Sequence, residues 1–217
     1  MRDADVAAKS FEGVRKLSLR MTDITDAALA TVADLVALEY LDISQNAIGD
    51  EGFLCLDRLH NLRTLFIDST QVTDNGLGIL KSMIWLSRID FDFTSVSDRA
   101  VESLCGLSNL GELSFFGTQI SNDSIHALEV LPELHTLDLG ATMIDDNCVS
   151  ALPGFKALRH IGLFDTKVTD VTLLELATLE NLESIDIRKT YVTMKGIELF
   201  KSSLPSCIVE TSKIATN

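Results

Sequence analysis

The chain is predicted to be an α/β solenoid, a single stack of short parallel strands backed by short helices, and three observations carry that prediction. A unit of 24 residues recurs eight times without insertion or deletion, beginning at Val14, Leu38, Leu62, Leu86, Leu110, Leu134, Leu158 and Leu182. Within each unit apolar residues alternate at period two and later recur three apart, the signatures of a half-buried strand and of helical turns. The composition is that of a folded chain: 217 residues, 46% hydrophobic and 23% charged, with 3 Pro and 12 Gly, unlike a disordered or low-complexity polymer.

Taken in order, residues 1–13 read as an N-terminal capping helix, because residues 3–12 keep the register of a unit's helical half with Ala8 and Phe11 at core positions. Residues 14–205 hold the eight repeats, and residues 206–217 read as the strand of a further half-repeat followed by a tail. The shared pattern is L-x-x-L-x-L-x-x-T-x-[VI]-[TS]-D-x-x-L-x-x-L-x-x-L-x-x, as in Leu62-Arg-Thr-Leu65-Phe-Ile67-Asp-Ser-Thr70-Gln-Val72-Thr-Asp74. No unit can bury its apolar stripe alone, so stacked units share one core. Helices are wider than strands, so the stack curves with the sheet on its concave side.

Three positions of the unit point to structural ladders. The ninth is Thr22, Thr70, Thr94, Thr118, Thr142, Thr166 and Thr190, with Asn46 in the second unit; a hydroxyl or amide there satisfies backbone groups leaving the strand. The thirteenth is Asp26, Asp50, Asp74, Asp98, Asn122, Asp146 and Asp170, broken by Met194, and a Thr/Ser-Asp pair is expected to cap the helix it opens. Carboxylates spent on caps do not converge on a metal. The fifteenth is mostly small (Ala28, Gly52, Gly76, Ala100, Ser124, Gly196), as close packing between neighbouring helices would require.

At these residues the sequence resembles the leucine-rich-repeat superfamily, in particular the short T-x-[VI]-[TS]-D repeats related to its ribonuclease-inhibitor-like class, over residues 14–205. The resemblance implies a right-handed horseshoe that binds other proteins, and it carries over no catalytic residue.

The formal net charge of −14 argues against nucleic acid and anionic membrane surfaces as partners. No apolar stretch long enough for a membrane helix and no secretory leader stands in the sequence, so a cytoplasmic protein is expected. Cys55, Cys105, Cys148 and Cys207 show neither a disulfide nor a zinc spacing and are expected to be free and mostly buried. Phosphate-binding loops, H-E-x-x-H and EF-hand loops are missing, so no cofactor is expected. His160 falls on the sheet face with Asp138 diagonal to it, but no nucleophile completes a triad and no enzyme is expected.

The third, fifth, seventh and eighth positions face away from the core or stand at its rim, and unusual residues there have no packing duty. They include Tyr40, Phe66, Phe93, Phe116 and Phe164, aromatic anchors of the kind that dominate protein interfaces. They also include Asp68, Asp90, Asp92 and Asp138, with Asp68 stacked beside Asp92 in a mutually repulsive pair that invites a basic partner group. Arg88 is expected to pair with Glu112. The function these residues point to is a non-enzymatic scaffold or adaptor, a monomer, whose concave face holds another protein with a basic patch. The alternative is a structural or targeting component that uses its convex face or its ends.

Overall fold

A computed structural model describes residue 3 and residues 13–211. Nine three-residue strands, β1 (Lys16–Ser18), β2 (Tyr40–Asp42), β3 (Thr64–Phe66), β4 (Arg88–Asp90), β5 (Glu112–Ser114), β6 (Thr136–Asp138), β7 (His160–Gly162), β8 (Ser184–Asp186) and β9 (Ile208–Glu210), form one open parallel sheet in chain order. Pairing keeps a register of one repeat, Leu41 beside Leu65 and Leu65 beside Ile89, so equal positions of successive units stack. The predicted α/β leucine-rich solenoid, a horseshoe with one strand per unit, is the observed fold. The proposed capping helix at residues 1–13 falls largely on residues outside those described, Ala8 and Phe11 included, and residues 212–217 also lie outside them.

The core runs between sheet and helical side. Consensus residues such as Leu65, Ile67, Val72, Leu77 and Leu80 of the third unit have no exposed surface. Burial loosens at the ends, where Val14, Leu17 and Val209 are only partly covered. At the sixth position Phe91 and Phe115 replace the aliphatic residue and stack face to face, with centroids 5.2 Å apart.

The helical half varies by unit. Helices α1 (Asp26–Val32), α2 (Asp50–Leu54), α3 (Ile125–Leu128), α4 (Asp170–Leu176) and α5 (Met194–Ser203) occupy the first, second, fifth, seventh and eighth units. The third, fourth and sixth carry only tight 3-10 turns. Gly76 just before Leu77–Ser82 and Gly78 within it disfavour an α-helix in the third unit, as Pro153-Gly154 does in the sixth. Cys148 and Cys207 are buried as expected, but Cys55 and Cys105 are exposed, because they sit on the outer side of their turns rather than on the apolar stripe.

The threonine ladder forms as the spacing predicts: each ninth-position hydroxyl donates to the carbonyl three residues earlier at 2.5–2.8 Å. Asn46 does more, its amide donating to the carbonyls of Leu19, Ile43 and Ser44 while its oxygen accepts from the N–H groups of Thr22 and Ile24. The aspartate ladder differs from the prediction. Outside the third unit, the residue that caps the first helical segment of a unit is the twelfth, and the thirteenth-position carboxylate reaches forward to the twelfth residue of the next unit. Asp50 accepts from the Thr73 N–H and hydroxyl at 2.7 Å, Asp74 from Ser97, Asp146 from Thr169 and Asp170 from Thr193. Asp3 does the same for Thr25. The carboxylate therefore joins units, where self-capping would have served one unit alone.

That ladder also explains the small fifteenth residue. A Cβ on Gly52 would sit 2.7 Å from the Asp26 Cα, and one on Gly76 2.8 Å from the Asp50 carboxylate. Where the fifteenth residue has a hydroxyl, it joins the ladder, as Thr172 does to Asp146 at 2.6 Å. The neighbouring helix does come this close, as expected, and the group it brings into the space is the aspartate of its first turn, Asp26 beside Gly52 and Asp170 beside Gly196.

Candidate functional site

The eighth position of every unit is left-handed, and apart from Gly117 none of these residues is glycine: Met21, Gln45, Ser69, Phe93, Ala141, Asp165 and Lys189 have φ between 52° and 59°. The chain turns sharply there and throws the eighth side chain onto the rim between sheet and helices. Phe93, 59% exposed, lands beside Phe116 of the next unit with centroids 5.3 Å apart, and Phe116 tilts against Phe164 at 5.8 Å. Gly117 and Gly140 make this possible. A Cβ on Gly117 would come within 2.8 Å of the Phe93 ring, and one on Gly140 within 2.6 Å of Phe116. Three of the predicted anchors thus form one continuous aromatic shelf.

The other two form a separate pair. Tyr40 meets Phe66 edge-on at 5.7 Å, and the Arg88 guanidinium covers Phe66 at 4.9 Å while pairing with Glu112 at 3.0 Å as expected. At the far end Arg188 and Lys189 lie over Phe164 at 5.4 and 4.6 Å. Each aromatic is therefore partly covered by neighbours within the chain, and only Phe93 is open.

The carboxylates do not stack as expected. Asp68 leans back across the second unit to Arg20, 2.7 Å away, and is only 7% exposed. Asp92 leans the other way, accepting from the Phe116 N–H at 2.9 Å and from the Ser114 hydroxyl. An arginine two strands distant removes the Asp68–Asp92 repulsion and takes Asp68 out of the free surface. Position five also has structural work that the sequence reading missed: Asp42, Asp90, Asp138 and Asp186 each accept from the N–H two residues on, at 2.8–3.1 Å. This is the local turn that aspartate commonly makes at such spacing.

Asp90, Asp92 and Asp138 remain together, lining a hollow of about 260 Å³ with Ser114, Thr136 and the Arg88–Glu112 pair at its border. Burial holds all three carboxyls above the usual range. For Asp92, desolvation is the largest cause and the nearby Asp90 and Asp138 add to it, lifting the group to about 7 against the hydrogen bonds from Ser114 and Phe116. Asp90 is raised by burial and by Asp68, and Asp138 by burial and by Asp186. Groups raised in this way lack a sufficient counter-charge within the chain.

His160 does not approach Asp138. Its Nδ1 lies 2.8 Å from the Ser184 hydroxyl and its Nε2 3.9 Å from Glu183. The Ser184 N–H is spent on the Arg159 carbonyl. Among the described residues no group of three or more His, Cys, Asp or Glu side chains is placed to hold a metal ion.

The repeat register and the single parallel sheet agree with two comparisons. A family model described as a leucine-rich repeat matches residues 37–56. The chain has the leucine-rich-repeat fold. Its fold is similar to that of internalin C2 from Listeria monocytogenes, with a TM-score of 0.71 and 23% sequence identity, over 97% of this chain and 84% of that one. No match was found among curated proteins. Leucine-rich-repeat proteins generally act as protein-interaction scaffolds and are typically non-enzymatic.

Proposed function

We propose that this protein is a non-catalytic scaffold whose concave face holds a partner protein through the Phe93–Phe116–Phe164 shelf and the adjoining Asp90, Asp92 and Asp138 hollow. The observation that carries the reading is the juxtaposition of a rigid aromatic shelf with carboxylates short of counter-charge. A lysine or arginine of the partner would supply that charge while apolar side chains beside it cover the rings. Asp68 contributes indirectly, by holding Arg20, and Tyr40 and Phe66 form a second, smaller contact beneath Arg88.

The test is capture of partners by the wild-type chain, identification by mass spectrometry, and titration of the purified partner against variants. Phe116→Ala is expected to weaken binding by more than about 2 kcal/mol, roughly 30-fold, as loss of a central anchor does, with the melting temperature nearly unchanged. A partner that binds Phe116→Ala and Asp90→Asn normally but is lost on replacing exposed Leu54 and Leu174 of the convex side would favour the alternative, assembly through the helical surface.

A further inference from the structure

A second hollow lies beside the shelf. It is a groove of about 620 Å³ on the rim of the first four units, where strands turn toward the helical side, and Asp23, Gln45, Ser69, Gln71 and Phe93 line it. Its chemistry differs from the rest of this acidic surface. Asp23, at one end, is the one ionisable residue in its lining.

Its floor and its walls are in opposite states. On the floor, the Asn46 amide is fully engaged and the Thr70 hydroxyl proton is spent on the Ile67 carbonyl. The side chains of Gln45, Ser69 and Gln71 above them have no hydrogen-bond partner among the described residues. Left-handed turns at Gln45, Ser69 and Phe93, with φ of 56°, 55° and 55°, hold the side chains of one row at successive units. An amide offers two donors and an acceptor, and a hydroxyl offers one donor and two acceptors. A polypeptide backbone presents one donor and one acceptor per residue and no charge, so a short extended segment is complementary to this row. Phe93 closes the groove at one end and touches Phe116 of the shelf at the other side of its ring.

We propose that the rim groove binds an uncharged, extended peptide segment of the partner, with backbone groups on Gln45, Ser69 and Gln71 and an apolar side chain against Phe93. The proposal rests on the concave-face reading, since Phe93 makes groove and shelf one surface. A partner would then be read in two parts: a basic and apolar contact on the sheet, and a sequence-tolerant backbone contact over the rim.

The probe is a displayed library of short linear peptides selected on the immobilised full chain, with the bound site mapped by amide hydrogen exchange. Selected peptides are expected to protect residues around 45, 69, 71 and 93. Gln45→Ala combined with Gln71→Ala should weaken them about tenfold, the loss of two ordinary hydrogen bonds, at an unchanged melting temperature. Leu174→Ala, on the helical side of the seventh unit and remote from the groove, should leave them bound. Undiminished binding by the double glutamine variant, or protection confined to the convex turns, overturns the proposal. Protection of the groove by neutral oligosaccharides and by none of the peptides also overturns it, in favour of a glycan. A natural partner weakened by Phe116→Ala but indifferent to the glutamine variant removes the groove and leaves the scaffold reading intact.

Discussion

Aspartates at the thirteenth position of six of the eight units and aspartates on the concave face are the same residue in the same acidic chain, yet they live in opposite circumstances. Asp98 and Asp146 are raised by burial, but hydrogen bonds from the hydroxyls and N–H groups of the next unit outweigh it and hold both below the usual carboxylate range. Asp90, Asp92 and Asp138 receive fewer donors than their burial demands and are held above it. The first row is part of the framework. The second is kept at a cost to the fold, as groups reserved for something outside the chain often are.

Removing a carboxylate from each row separates the two. Asp146→Ala takes an acceptor from the N–H and hydroxyl of both Thr169 and Thr172. Leaving such half-buried donors unmet should lower stability by about 2–3 kcal/mol. Urea titration of the folded chain reads this directly, and a loss below about 0.5 kcal/mol would mean that the ladder merely decorates the stack.

Next in size is Gly52→Ala, which probes the room the ladder needs. Alanine favours a helix over glycine by about 1 kcal/mol, so helix propensity alone predicts stabilisation. The added Cβ would press on the Asp26 backbone at 2.7 Å, and backbone cannot rotate away. Overpacking of this kind costs about 1–3 kcal/mol, so a net loss of about 1 kcal/mol is expected. A rise in the thermal midpoint would show that the glycine is there for another reason.

Much of this was legible in the sequence, for reasons that also mark where legibility ended. Strict 24-residue periodicity predicts the sheet order, the register and the core, since Leu65 and Ile67 have the same neighbours in every unit. The threonine ladder is local, three residues back, and was readable from spacing. The aspartate ladder is not local: Asp50 finds its donors 23 residues on, at Thr73, while a plausible cap stood beside it. Asp68 escaped for a similar reason. Its partner is on no neighbouring strand: Arg20 reaches it from two strands away. The left-handed eighth position gave no signal, because Gln45, Ser69 and Phe93 are not residues that favour it. The local bond from Asp90 to the N–H of Asp92 was readable from its two-residue spacing and was missed.

The smallest effect, Asp92→Asn, tests the contrast by its sign. The Asp92 carboxyl titrates near 7 in the folded chain and near 3.8 when unfolded. Between about pH 4 and 7 the folded state therefore holds a proton that the unfolded chain has released. Stability contributed by this group is present below pH 4 and declines as the pH rises toward 7. The lowered carboxyls Asp98 and Asp146 act in the other direction: their contribution is present above pH 3.8 and is lost as the pH falls through their folded values. Asparagine at position 92 keeps an oxygen for the Phe116 N–H and the Ser114 hydroxyl but cannot ionise. Half-burial leaves water to screen the charge, so the expected gain at pH 8 is about 1 kcal/mol, well under the nominal shift, with no difference at pH 4. Paired urea titrations of wild type and variant across that range would show the two curves diverging upward in pH. Parallel curves would place Asp92 with the satisfied carboxylates and leave the concave hollow without its unmet charge.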